Sequence, residues 1–133
     1  MSTHFMTGFP GFIGRRLVGS LLARDPEARV IALVEPRMAE PAASAAAAID
    51  PERIEILEGD IGERRLGLAD GDYERVAAEV ETVHHLAAIY DLAVPLEIAQ
   101  RVNVDGTGNV LDLCRRAETV SYTHLTLPTN REV

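Results

Sequence analysis

The sequence predicts an α/β fold built on a doubly wound parallel sheet of about four strands. Three observations predict it. Short apolar runs alternate with segments of helical period from the N-terminus to about residue 118. Arg29 to Val34 is apolar almost throughout, which suits a parallel strand covered on both faces. Gly8, Gly11 and Gly14 stand between the first strand and the first helix, where a tight turn must bring the backbone close to whatever sits on the helix N-terminus. At 133 residues the chain makes at most one small domain.

His4 to Thr7 is the first strand, and His4 reads as a strand-end histidine because no metal-ligating cluster lies near it in sequence. The run Thr7-Gly8-Phe9-Pro10-Gly11-Phe12-Ile13-Gly14 then turns into a helix over Phe12 to Arg24. Strand, glycine turn and helix N-terminus make an anion site, since the free amides and the dipole of the helix favour a pyrophosphate there. Phe12, Ile13, Leu17, Val18, Leu21 and Leu22 form the apolar face of that helix, and Arg15 and Arg16 lie in its early turns. Asp25-Pro26 ends it.

Arg29 to Val34 is the second strand. Glu35 follows at its end, about 20 residues beyond the glycines, where an acid hydrogen-bonds the adenosine ribose of NAD. Arg37 stands two residues on and suits a 2′-phosphate instead, so the residues leave NAD and NADP both open. Met38 to Ala48 is alanine-rich and helical after Pro41, and Arg53 to Glu58 is the third strand. Asp60 closes that strand at the end where nucleotides bind, and capping of the following turn is its other reading. Ile61 to Ala69 is a loop. Asp70 to Val80 is a helix with Asp70 or Asp72 as N-cap and Tyr73, Val76, Ala77 and Val80 on one face. Thr82 to Leu86 is the fourth strand, on which His84 and His85 point to opposite faces and so cannot share a metal. Small residues, Ala87 and Ala88, follow it. Ile89 to Val94, with Tyr90 and Asp91, forms a loop, and Pro95 to Glu118 is mostly one long helix carrying Asn103. The whole is Rossmann-like, with strand order 3-2-1-4 and right-handed crossovers. Its fourth strand is an exposed edge, from which weak stability and a tendency to aggregate are expected.

Composition excludes several classes. The net charge of −8 argues against a general nucleic-acid or anionic-membrane surface. All thirteen basic residues are arginine, which removes the lysine a P-loop needs. Cys114 is the single cysteine and cannot form an internal disulfide, which fits a reducing cytoplasm. No apolar run is long enough to span a bilayer, and no signal peptide with a basic n-region is present, so the chain reads as soluble and cytosolic.

Thr7-Gly8-x-x-Gly11-x-x-Gly14 resembles the cofactor turn of the extended short-chain dehydrogenase/reductases, and the similarity runs from about His4 to about Glu118. Gly59-Asp60-Ile61, Leu66-Gly67-Leu68, His85 to Tyr90 and Asn103-Val104-Asp105-Gly106-Thr107 resemble the thioester-reductase and fatty-acyl-reductase branch of the male-sterility type. The resemblance implies that Thr7, Gly8, Gly11, Phe12, Ile13 and Gly14 hold a dinucleotide pyrophosphate and that Glu35 or Arg37 meets the ribose end. It puts Asp60 and Ile61 at the adenine, Ala87 and Ala88 at the central ribose, and Asn103 behind the active-site backbone. It leans towards NADP, although that branch often has arginine where this chain has Glu35. It further implies hydride transfer to an acyl thioester or carbonyl substrate, with the alternatives of a non-catalytic dinucleotide-binding module or a sugar-nucleotide epimerase or dehydratase.

The resembled enzymes use a tyrosine with a lysine four residues later to move the proton. Four residues after Tyr73, Tyr90 and Tyr122 stand Ala77, Val94 and Thr126, so this chain contains the cofactor half without the catalytic pair. From about Thr119 the composition changes. Val120 to Thr129 has no alanine, acid or arginine and resembles the in-frame translation of a transposase-type sequencing adapter. The expectation is therefore a native domain over 1–118 and a non-native tail over 119–133, in which His124 to Thr126 could imitate a strand.

Overall fold

The structure, a computed structural model, describes residues 2–87, 97 and 101–124, with the backbone alone for 101, 102 and 119–124. Strands β1 (Ser2–Thr7), β2 (Ala28–Val34), β3 (Ile54–Glu58) and β4 (Thr82–His85) form one sheet in the order β3-β2-β1-β4. Every pairing is parallel, as the sequence predicts. Helices α1 (Phe12–Arg24), α2 (Ala39–Ile49), α3 (Asp70–Glu79) and α4 (Gly106–His124) cover its two faces. Among the described residues β4 pairs only with β1 and forms an edge.

The alternation of side chains along a strand divides the core in two. Met6, Val30, Ala32 and Val34 point to one face, where they meet Val18 and Leu22 of α1 and Ala42 and Ala46 of α2. Phe5, Ile31 and Leu33 point to the other, against Tyr73, Val76 and Ala77 of α3 and Val110, Leu113 and Ala117 of α4. This two-sided burial is why β2 reads as an unbroken apolar run. The alanines of α2 let that helix lie close to the sheet.

Local details depart from the sequence expectation. Ala69, rather than Asp70 or Asp72, is the N-cap of α3, and both aspartates lie in its first turn, where negative charge favours the helix dipole. The expected loop 61–69 contains a tight turn over Arg64–Gly67 in which Arg65, Leu66 and Gly67 all adopt positive φ. Left-handed backbone is unfavourable for a branched side chain. Here it is offset by full burial of Leu66 in the core, and by Arg65, whose guanidinium lies 4.5 Å from the Tyr73 ring and pairs with Asp70 and Glu74. Of the long helix expected over 95–118, residues 95, 96 and 98–100 lie outside the described ones, and the part that follows begins as a π-helical turn, Arg101–Asp105, before α4. Leu111 is only partly buried, whereas Val110 and Leu113 lie in the core. The backbone of helix α4 continues through Thr119–His124, and Leu125 and Thr126 lie outside the described residues.

Arg53 joins three elements. Its Nε donates to the carbonyl of Ala28 at 3.0 Å and Nη1 to that of Leu22 at 3.2 Å, while Nη2 donates to that of Asp25. It thereby satisfies carbonyls at the C-terminal end of α1, which have no intrahelical partner. The Asp25 carboxylate accepts from the Ser2 hydroxyl and the Glu27 amide, and the Ser2 bond is the main reason its pKa is lowered.

Candidate functional site

A cleft of about 370 Å³ opens at the C-terminal ends of the strands. It lies where the connections reverse: from β1 the chain goes to β2 and β3 on one side, then returns to β4 on the other. Crevices at such switch points are where open α/β sheets bind ligands. Thr7, Gly8, Gly11, Glu35, Arg37, Ile61 and Ala87 line it, all of them named by the sequence.

Each glycine of the turn is required by its surroundings. Gly8 has φ +91°, and a Cβ there would lie 2.7 Å from Leu86 Cβ. A Cβ on Gly11 would lie 2.8 Å from the Gly8 carbonyl oxygen, and one on Gly14 would lie 2.7 Å from the same atom. The Gly11 amide donates to that carbonyl at 2.9 Å, which closes the turn. The first intrahelical bond of α1 runs from the Arg15 amide to the Gly11 carbonyl at 2.9 Å, so the amides of Phe12, Ile13 and Gly14 precede the helical ladder. The cradle fits a pyrophosphate: Gly8 and Gly11 bring side-chain-free backbone to the turn, and the positive end of a 13-residue helix adjoins it.

Phe12 and Ile13 do not line the cleft. Their side chains are 63% and 61% exposed, which corrects their assignment to the apolar face of α1. The buried face is Gly14, Val18 and Leu22 at i, i+4 spacing, and Phe12 instead lines a surface hollow with Ala45, Ala48 and Ile49 of α2. Arg16 lies over the Phe12 ring at 5.4 Å.

At the far end, Arg37 Nε donates to Glu35 Oε2 at 2.9 Å, and the two side chains remain 75% and 52% exposed. The sequence offered these residues as alternatives for the ribose end; the fold pairs them with each other. Asp60 is not a lining residue. Its Oδ1 accepts from the Gly62 amide at 2.8 Å, and its own amide donates to the Leu66 carbonyl at 2.9 Å, so it caps the turn that presents Ile61. Asn109 Nδ2 donates to the Ile61 carbonyl at 2.6 Å and anchors that turn to α4. Asn103 lies on the π-helical turn away from the cleft lining, and Ala88, Tyr90 and Asp91 fall outside the described residues.

The sequence reading missed Phe9, Pro10, Leu33, Val34, Met38 and Gly59, which complete the lining. Gly59 had a legible signal, since it immediately follows a strand. A Cβ there would collide with the Leu66 carbonyl and lie 2.6 Å from Leu33 Cδ1. His4 is likewise not isolated: its ring stacks on His84 across the sheet, with Nδ1 3.0 Å from His84 Nε2. Among the described residues no group of three or more His, Cys, Asp or Glu could hold a metal, and no helix is long and apolar enough to cross a membrane.

The sequence profile described as male sterility protein, an NAD-binding family, matches residues 6–126. The chain is 29% identical over 123 residues to the L-2-aminoadipate reductase large subunit of Penicillium chrysogenum, covering 84% of this chain and 9% of that protein. It is 28% identical over 129 residues to a putative fatty acyl-CoA reductase of Drosophila melanogaster, covering 84% of this chain and 25% of the relative. Among solved structures, the terminal R domain of the myxalamid PKS-NRPS biosynthetic pathway superposes with a TM-score of 0.74 at 28% identity, over 88% of this chain and 32% of that one. The chain thus spans a small part of the curated relatives it matches. The cofactor class that the family match supports is a nicotinamide dinucleotide.

Proposed function

The chain belongs to the male sterility protein family of NAD(P)-binding reductase domains, and from that membership we propose that it is the cofactor-holding part of an oxidoreductase acting on an acyl thioester or carbonyl group. One observation carries the reading: the glycine turn, the N-terminus of α1 and the ends of all four strands converge on one cleft at the switch point of the sheet. A nicotinamide dinucleotide held there supplies the hydride. The amides of Phe12, Ile13 and Gly14, with Gly8 and Gly11 beneath them, hold the pyrophosphate. Glu35 and Arg37 meet the adenosine ribose, the Asp60–Ile61 turn meets the adenine, and Ala87 with Ala88 leaves room for the central ribose. Asn103 supports the substrate side. The proton-transferring tyrosine–lysine pair is not in this chain, which has no lysine.

Glu35 bears on the choice of cofactor. A 2′-hydroxyl can donate to its carboxylate, whereas a 2′-phosphate must draw Arg37 away from it. The resemblance to the thioester-reductase branch pulls the other way, towards NADP. The reading also places the protein in the cytoplasm and takes residues 119–133 as adapter-derived, which sequencing the source DNA across the codons for Glu118 to Val120 would test.

The direct test is titration of the 133-residue chain with NADH, NADPH and ADP-ribose, followed by nicotinamide fluorescence and calorimetry. Saturable binding of at least one of them, abolished by Gly11→Val, is expected. A chain that binds none of the three while folded refutes the assignment.

A further inference from the structure

We propose that His85, held as the neutral Nε2–H tautomer, is a positioning residue that locks the cofactor turn of β1 to the Asn103 turn ahead of α4; the proposal rests on reading the cleft as the dinucleotide site. The argument begins at Thr7, the one buried polar side chain among the described residues. Its hydroxyl oxygen accepts the amides of Leu86 and Ala87, each at 3.1 Å. Both lone pairs are then used, so the hydroxyl proton goes to the remaining partner, His85 Nδ1, at 2.6 Å. A nitrogen that accepts carries no proton, and the ring's hydrogen is therefore on Nε2. That nitrogen faces Thr107 Oγ1 at 3.2 Å and donates to it. The Thr107 hydroxyl passes its own hydrogen to the Asn103 carbonyl at 2.7 Å. From Thr7 onward each hydroxyl or ring donor has one acceptor, and those three bonds point the same way, from β1 to the π-helical turn, while the Leu86 amide is shared between the Thr7 hydroxyl and, at 3.3 Å, the Thr7 carbonyl.

The arrangement needs a rigid side chain with an acceptor at one end and a donor at the other, which among side chains describes neutral imidazole. Burial favours that neutral form by lowering the pKa of His85. The lock acts on the cleft through Leu86 and Ala87. Ala87 lines the cleft, and Leu86 Cβ lies 2.7 Å from where a Cβ on Gly8 would stand, so the exit of β4 and the glycine turn have no slack between them. At the other end the series fixes the Asn103 carbonyl. The two ends of the segment between β4 and α4 are thus tied to each other and to the cofactor turn.

Thr107 is the informative position for a test, because it lies outside the cleft lining and acts on it through its bonds to His85 and to the Asn103 carbonyl. Long-range ¹H–¹⁵N correlation spectra of the full chain, with His85 assigned by its loss in His85→Asn, should show a single Nε2–H tautomer at neutral pH. Thr107→Val should shift the Nε2 resonance, because the Nε2–H loses its acceptor, and weaken binding of the NADH or ADP-ribose probe by about two- to tenfold, the worth of one hydrogen bond. Thr107→Ser should restore both. A wild-type Nδ1–H tautomer, or exchange between tautomers, overturns the lock even if Thr107→Val does not fold. Unchanged affinity and spectrum in a folded Thr107→Val overturn it as well. Failure of the wild type to bind any dinucleotide instead overturns the cofactor reading, and with it the role of His85 in binding.

Discussion

Gly14 and Gly19 lie on the same helix, and replacing each with alanine should move stability in opposite directions. Alanine in place of glycine inside a helix stabilises it by roughly 0.5–1 kcal/mol, because the unfolded chain loses freedom and the helix gains a better former. For Gly19 nothing else intervenes: no heavy atom lies within 4 Å of the Cβ position outside its own helix backbone. Gly19→Ala should therefore raise stability by roughly that amount. At Gly14 the new Cβ would stand 2.7 Å from the Gly8 carbonyl oxygen and 3.1 Å from the Gly8 carbonyl carbon. Both contacts are with backbone, so no side chain can rotate away, and the glycine turn must open by about half an ångström to restore ordinary contact. Overpacking of this kind costs about 1–3 kcal/mol, which outweighs the helical gain. Gly14→Ala should come out roughly 0.5–2 kcal/mol less stable than wild type. It should also weaken dinucleotide binding, because the displaced carbonyl belongs to the turn that presents the amides. Urea unfolding of the three proteins at one protein concentration gives the comparison, and dinucleotide titration gives the second readout. If Gly14→Ala proves as stable as Gly19→Ala and binds dinucleotide as well as wild type, the close packing of the turn on α1 is refuted.

Arg53→Met should lower stability by about 1–3 kcal/mol, since it removes the side-chain donor from the carbonyls of Leu22, Asp25 and Ala28, of which Asp25 keeps the Ala28 amide; Arg53→Lys should recover little, because the three N–H groups of an ammonium share one nitrogen and cannot span acceptors placed for the three nitrogens of a guanidinium, and a urea midpoint unchanged in Arg53→Met would sink this account. Glu35→Gln should shift the ratio of affinities towards NADPH by releasing Arg37 from its ion pair; calorimetry with both cofactors checks it, and a shift towards NADH would contradict it. His84 and His85 both have lowered pKa values, His84 through burial and then the adjacent His4, His85 through burial. The unfolded chain therefore binds more protons than the native one just below the ordinary histidine pKa, and stability rises with pH there. That contribution is complete above about pH 6.5 and is lost as pH falls towards the folded values. The urea midpoint should accordingly be lower at about pH 5.5 than at about pH 7.5, with the difference reduced in a His84→Gln, His85→Gln double variant; a midpoint that rises on acidification refutes the assignment.

By itself the sequence determined the strand–helix alternation, the parallel order and the place of the glycine turn. These follow from local causes: side-chain period, two-sided burial of β2, and glycines where a turn has to be tight. It named seven residues of the cleft lining: Thr7, Gly8, Gly11, Glu35 and Arg37 from the glycine turn and the end of β2, and Ile61 and Ala87 from the resemblance. It could not show which candidates lie together. Glu35 and Arg37 read as alternatives in sequence because a string carries no distances, and only the turn after β2 brings them to 2.9 Å. Phe12 and Ile13 fitted a helical stripe, but which side of that helix meets the sheet is a property of packing. Leu66 gave no sign of its positive φ, since the core that offsets the strain is assembled from α3 and α4, remote in sequence. The Thr7–His85–Thr107–Asn103 series is the clearest case. Its members come from β1, β4, α4 and the turn before it, and hydrogen bonds depend on a few tenths of an ångström that only the tertiary structure sets.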